Sequence, residues 1–342
     1  VIFNETLSPM QIRNLGRELD CDIMDRTGLI LEIFSRRART REARLVVECA
    51  RLEYTLPRLA GMRENLGRQG GTSGSMSNRG LGEKKIELDK RHIERRLAEL
   101  RRELKQIERE RETQRSRRLA SGIFKVALVG YTNSGKSTLL NRFLEMSTEE
   151  YSDKAVFAED MLFATLDTMV RKIAPEGYRP FLLSDTVGFI DELPHTLVKA
   201  FRSTLEEVRY ADLLLEIVDC SDSEFRSHLT VTDRTLAQIG AGSIPRITVY
   251  NKADRAGIGH YPVLRNGGIF ISAAERVGLK ELLELIEAER SRDEVEVKLL
   301  IPYRDMAVLD HMNRNATILH TEYTEDGTRI EARCRQAGPG EP

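Results

Sequence analysis

The chain has 342 residues, of which 40 % are apolar and 31 % charged, and its formal net charge is -1. At roughly 100–200 residues per domain this allows two or three cores, while no apolar run reaches the ~18 residues of a membrane span and no signal peptide is recognisable. The cysteines (Cys21, Cys49, Cys220, Cys334) are scattered, with neither a CxxC pair nor a nearby His cluster, which argues against a disulfide framework or a structural metal and for a reduced, cytoplasmic protein. Peripheral attachment to a membrane stays open, a monomer is expected, and the start at Val1 leads us to expect residues upstream of this sequence.

The small net charge hides an asymmetry. Residues 36–118 hold 24 Lys/Arg against 13 Asp/Glu, whereas residues 1–35 hold 3 against 6 and residues 119–342 hold 26 against 35. One basic segment of net charge +11 thus lies between acidic neighbours. Such a segment attracts polyanions, nucleic acid above all, although a solvated helix laced with ion pairs would look the same.

In chain order, residues 1–35 read as a small α/β unit. Ser8-Pro9 starts a helix, CDIMD (21–25) is a short strand candidate, and LILEIF (29–34) is strand or helix. Residues 36–118 read as a helical hairpin. Ala43, Val47, Ala50 and Tyr54 form one seam, which Pro57 should kink or end. Ile86, Ile93, Leu97, Leu100, Leu104 and Ile107 form another, and the two stripes would cover each other. The glycine-rich connection 67–82 is too polar to fold alone.

From Ile123 the texture changes. FKVALVG (124–130), RPFLLSD (179–185), DLLLEIVD (212–219), RITVYN (246–251) and GIFISA (268–273) read as strands. They alternate with helices and end on LKELLELIEAE (279–289). This predicts a mostly parallel sheet over residues 119–291. Residues 292–336 read as a small α/β unit, with strands in VEVKLLIP, ATILHTEYT and TRIEARC and a helix in RDMAVLDHMNR (304–314). Residues 337–342 are expected to be disordered.

The chemistry lies in the middle segment. Gly130-Tyr131-Thr132-Asn133-Ser134-Gly135-Lys136-Ser137 fits GxxxxGK[ST] after a strand and before a helix that continues with Thr138, the context that gives this phosphate-binding motif its meaning. Backbone N–H groups wrap the phosphates, Lys136 neutralises β/γ charge, and Ser137 ligates Mg²⁺. Asp185-Thr186-Val187-Gly188 ends the next apolar strand. Its Asp would hold Mg²⁺ through water, and Gly188 would meet the γ-phosphate. In Asn251-Lys252-Ala253-Asp254, the carboxylate of Asp254 can accept from guanine N1–H and N2–H₂. Adenine lacks that donor pair and would leave the carboxylate unsatisfied. The pattern therefore predicts a P-loop GTPase that takes GTP with Mg²⁺.

Three weaker signals join it. Ser272-Ala273-Ala274 resembles the second base-contacting loop of GTPases. Thr165, in the segment that also carries Phe163, resembles the switch threonine that caps Mg²⁺ when GTP is bound. Asn133 resembles the P-loop asparagine of GTPases that hold K⁺ beside the phosphates. After the DxxG glycine, where many GTPases place a water-orienting Gln, stands Phe189, which cannot do this. Slow intrinsic hydrolysis is expected, with Lys136, Thr165 and Gly188 as the catalytic groups.

Together these residues resemble the HflX family of translational GTPases over nearly the whole chain. The resemblance rests on DRTGLILEIFSRRARTREARLVVECARLEY (25–54), GYTNSGKSTLLN (130–141), LFATLD (162–167), DTVGFI (185–190) and AFRSTLEEVRYADLLLEIVDCSD (200–222). Two places depart from the family pattern. The glycine-rich loop GGTSGSMSNRGLGEKKIELD (70–89) keeps Arg79, Gly80, Gly82, Glu83, Glu87 and Asp89 but differs earlier, and Thr168 stands where the family has Pro. The resemblance implies an α/β subdomain with a long antiparallel helical hairpin, then the GTPase domain, then a small α/β C-terminal domain. It also implies binding of the large ribosomal subunit and its rRNA, splitting of intact ribosomes that are stalled or stressed, and ribosome-stimulated hydrolysis. The tip cations Arg68, Arg79, Lys84 and Lys85 would then meet RNA. A ribosome assembly or silencing factor, or an RNA-remodelling protein acting on rRNA, are the competing readings.

Overall fold

The computed structural model describes residues 1–68, 76–120, 122–147, 169–190, 207–265, 267–292, 294–305, 308–310, 312 and 316–335. Phe163, Thr165, Thr168 and the tail 337–342 lie outside them, as do the side chains of Arg68, Arg79, Lys84 and Lys85.

Strand β1 (Ile2–Phe3) pairs in parallel with β2 (Met24–Asp25). Helix α1 (Pro9–Leu19) begins with a capping box, in which Ser8 Oγ accepts from Gln11 N at 3.3 Å and Gln11 Oε1 accepts from Ser8 N at 2.8 Å. LILEIF belongs to a helix, α2 (Arg26–Arg37). Asp25 caps it through Gly28 N at 2.7 Å, and Ile30, Leu31 and Phe34 fall on its buried side.

The hairpin differs from the sequence expectation in three ways. Of the two outcomes expected at Pro57, a kink or an end, the end does not occur: helix α3 (Arg41–Arg68) runs through it. Proline removes one i→i−4 bond, and in that disturbed turn the Arg58 guanidinium donates to the Tyr54 carbonyl at 2.8 Å. Second, Ala43, Val47 and Ala50 pack mainly on α2, with Ile30, Leu31 and Phe34, and the partner helix reaches this cluster through Leu104. A second stripe on α3 (Leu45, Cys49, Leu52 and Leu56) meets Ile93, Leu97, Leu100, Leu104 and Ile107 of helix α4 (Met76–Ala120). Helix α3 is therefore apolar on two sides and sandwiched between neighbours. Third, α4 takes in residues 76–82 of the glycine-rich stretch, which leaves 69–75 between the helices. Extending an existing helix needs no new nucleus, so a glycine there costs only ~1 kcal/mol. Ion pairs Arg96–Glu48, Arg101–Glu53, Arg41–Glu103 and Arg111–Glu42 flank the α3–α4 seam.

The central sheet has the order β4-β5-β3-β6-β7-β9-β8. Strands β3 (Lys125–Val129), β5 (Phe181–Asp185), β6 (Leu213–Asp219), β7 (Arg246–Asn251) and β9 (Gly268–Phe270) are parallel. The edge strands β4 (Met169–Ile173) and β8 (Val263–Arg265) run antiparallel to their neighbours. Neither edge was legible in the sequence, because MVRKI and VLR carry no alternation or apolar run long enough to stand out. Helices α5 (Lys136–Glu145) and α7 (Leu279–Ser291) cover one face and α6 (Phe225–Gln238) the other. The sheet is thus mostly parallel, as the alternation requires.

The last unit is an antiparallel sheet of order β10-β12-β11, formed by β10 (Glu294–Ile301), β11 (Thr317–Thr324) and β12 (Gly327–Arg335). The predicted helix over 304–314 is represented by a 3₁₀ turn, Tyr303–Asp305, and by helical residues 308–310. From them Leu309 packs on Ile301 and Ile330.

One polar network ties the first unit to the hairpin. Asp25 is fully buried. It accepts from Gly28 N at 2.7 Å, Leu7 N at 3.1 Å, the Tyr54 hydroxyl at 2.5 Å and Arg58 Nη2 at 3.0 Å. The Arg58 guanidinium also lies over the Tyr54 ring at 3.3 Å, and burial, followed by the bond to Asp25, pushes the Tyr54 phenol well above its ordinary pKa. Removing one member of such a network strands the other charge. Asp25→Ala is expected to lower unfolding stability by about 3–5 kcal/mol in urea denaturation, and a loss under about 1 kcal/mol would show that the network is peripheral to stability.

Candidate nucleotide site

The P-loop leaves the C-terminal end of β3 and opens α5. Gly130 has φ 136°, and a Cβ there would stand 2.2 Å from Ile217 O, so the loop starts pressed against β6. Asn133, at φ 60°, also takes the left-handed conformation. Lys136 is buried and donates to the carbonyls of Gly130 at 3.1 Å and Tyr131 at 2.8 Å. Burial lowers its pKa to about 8, partly opposed by the charge of Asp185.

Ser137 Oγ donates to Asp185 Oδ2 at 2.7 Å, so the two groups expected around Mg²⁺ are brought together across β3 and β5. These oxygen donors beside the P-loop suit that ion. After Asp185 the chain turns along the P-loop. Phe189 N donates to Gly130 O at 3.0 Å, and Thr132 N donates to Phe189 O at 2.8 Å. Gly188 lies so close that a Cβ would come within 2.6 Å of Thr132 Cα and 3.0 Å of Lys136 Nζ. Close approach, not its torsions, requires glycine here.

The base side is organised by Asn251. Its Nδ2 donates to Ser134 O at 2.9 Å and its Oδ1 accepts from Ala273 N at 3.0 Å, so one amide joins the P-loop to the loop after β9. Ser272 Oγ donates to Asp254 Oδ1 at 2.6 Å. Lys252, at φ 62°, pairs with Asp219 at 2.7 Å. Ala274 is exposed at the rim, and Thr138 lies in the first turn of α5.

The comparisons agree with this geometry. Residues 1–35, 37–118 and 125–252 match family models described as GTP-binding GTPase N-terminal, GTP-binding GTPase Middle Region and 50S ribosome-binding GTPase. A GTPase HflX of Spirochaeta thermophila is 48 % identical over 330 residues, covering 96 % of this chain and 78 % of that protein. The chain belongs to the HflX family of GTPases. A GTPase HflX of Caldanaerobacter subterraneus subsp. tengcongensis is 43 % identical over 332 residues, covering 97 % of this chain and 74 % of that protein. Among solved structures, a GTP-binding protein from Sulfolobus solfataricus in complex with GDP aligns over 85 % of this chain and 80 % of its own at 26 % identity, with a TM-score of 0.46.

In this HflX-family GTPase the motif residues outside 163–165 converge on one end of the central sheet. Two features were not legible as functional in the sequence. Val187 is buried and joins the α2–α3 cluster with Ile30, Phe34 and Val47, and Ile190 packs against the same cluster. The available signal was a run of apolar residues around a glycine where a nucleotide loop would ordinarily be polar. Phe189 points the other way and packs with Ala127, Val129, Val208 and Leu236, at 1 % exposure. A ring so buried and without a polar atom cannot present a water.

Lys136 sets the pH response. Phosphates arriving beside it favour the ammonium, so binding above pH 8 takes up a proton. Affinity should be insensitive to this group below its free pKa and be lost as pH rises through it, by up to about tenfold per unit. Titrations with a fluorescent GDP from about pH 7 to 9 check this, and a flat profile would contradict it.

Proposed function

We propose that this GTPase is a nucleotide-driven factor that engages the large ribosomal subunit and splits stalled or stressed ribosomes, with hydrolysis stimulated by the ribosome and resetting the factor. The observation that carries the reading is the burial of Val187, and the packing of Ile190, against the N-terminal helices. Because Gly188 touches the P-loop between them, a switch segment ordered by GTP bears directly on the basic hairpin. The match to a family described as 50S ribosome-binding GTPase supports the choice of partner, and the +11 segment supports contact with rRNA phosphates.

In this reading Lys136 binds the β/γ-phosphates, Gly188 senses the γ-phosphate, and Asp254 selects guanine. Ser137, Thr165 and, through water, Asp185 would hold a Mg²⁺ that neutralises phosphate charge. Asn133 would hold a K⁺ that supplies positive charge which Phe189 cannot replace. Arg68, Arg79, Lys84 and Lys85 would meet rRNA at the hairpin tip. The working divisions are 1–35, 36–118, 119–291 and 292–336, acting as a monomer in the cytoplasm. Among the described residues no helix is long and apolar enough to cross a membrane, and a peripheral membrane attachment has no supporting feature there.

The test is light scattering of intact ribosomes on addition of protein with GTP. Separation of subunits is expected, in K⁺ more than in Na⁺ and much less for a chain lacking residues 67–82. Tight binding without separation would favour an assembly or silencing factor.

A further inference from the structure

Tyr131 is the P-loop residue whose carbonyl receives the shorter of the two Lys136 Nζ bonds, 2.8 Å against 3.1 Å for Gly130. Its backbone bridges Phe189 on one side. Its ring leaves the loop on the other side and lies flat on His228, with centroids 3.7 Å apart and planes within 8°. His228 sits in the first turn of α6. Its backbone N–H donates to Glu224 O at 3.2 Å, its carbonyl accepts from Thr232 Oγ1 at 2.9 Å, and its Nδ1 is 3.9 Å from Asp222 Oδ2. The imidazole is therefore mounted on a rigid element outside the nucleotide motifs.

The two rings line a cavity of about 180 Å³, shared with Ser134, Ile217 and Leu229. Truncating His228 would enlarge this existing space and let the Tyr131 ring sink into it. A Cβ at Gly130 would stand 2.2 Å from Ile217 O, so β6 lies close on that side of the loop and limits how far the backbone can retreat there. The displacement would pass to the Tyr131 carbonyl and so to the ammonium that the carbonyl orients.

We propose that His228 is a positioning residue for GTP hydrolysis, its ring fixing Tyr131 and through it the aim of Lys136 at the phosphates. A small misplacement of a charge that acts on the transition state lowers turnover more than binding. The inference rests on GTP hydrolysis alone, not on the ribosomal reading, and is tested on the full chain without ribosomes.

His228→Ala should lower single-turnover hydrolysis roughly 3- to 10-fold, the worth of one aromatic pair, with the KM for GTP and the affinity for GDP within about twofold. His228→Phe, which keeps a flat ring, should restore the rate. Tyr131→Ala should be as slow as His228→Ala, and combining them should add nothing. An unchanged rate in His228→Ala, or additive losses in the double variant, would overturn the proposal. So would a His228→Phe variant as slow as the alanine. A parallel fall in thermal midpoint, GDP affinity and rate would also overturn it, by showing a packing role only.

Discussion

Val187 and Gly188 are adjacent in sequence, yet they serve two different cores. The valine is buried among the helices of the N-terminal unit, while the glycine lies against Thr132 and Lys136 of the P-loop. A peptide bond spans less than 4 Å, so neither neighbour can move far without the other. This places the phosphate site and the hairpin in one mechanical unit. Packed interfaces tend to shift between discrete arrangements instead of deforming smoothly, so a change at Gly188 would be felt at α2 and α3 through Val187.

The nucleotide side is built to hold that segment still. Asn251 spans from Ser134 to Ala273, Lys136 is anchored by two P-loop carbonyls, and the Phe189 backbone is stitched to Gly130 and Thr132. Phe189 then spends its side chain on the core instead of on water, so rigidity is gained where many GTPases keep a catalytic group. The same residue thus adds to the packing beneath the switch segment and offers no polar atom to an attacking water.

Much of this was readable in the sequence because it is local. A P-loop is a strand, a tight turn and a helix start in one run of residues, and the spacing from Lys136 to Asp185 and Asp254 follows from alternating strands and helices. The helix start at Ser8-Pro9 was equally local. What escaped depends on packing partners. Helix α3 has two apolar stripes, and the sequence does not say which of them faces α4 and which faces α2. Pro57 argued for a kink or an end, and the helix continues through it with packing on two sides and the Arg58 guanidinium on the Tyr54 carbonyl. LILEIF suits strand or helix by periodicity, and the cap at Asp25 decided for helix. Val187 fills an unspecified position of the DxxG motif and His228 lies in none, and their packing appears only when the α2–α3 cluster and α6 are brought to the loops they touch.

The packing of Val187 makes it the expected route from the nucleotide state to the hairpin. Hydrogen–deuterium exchange of α2 and of the first half of α3 tests it most directly, comparing GDP with a non-hydrolysable GTP analogue in the natural chain and in Val187→Ala. Exchange in these helices should depend on the nucleotide in the natural chain and lose that dependence in Val187→Ala. Identical exchange with both nucleotides in the natural chain would contradict it.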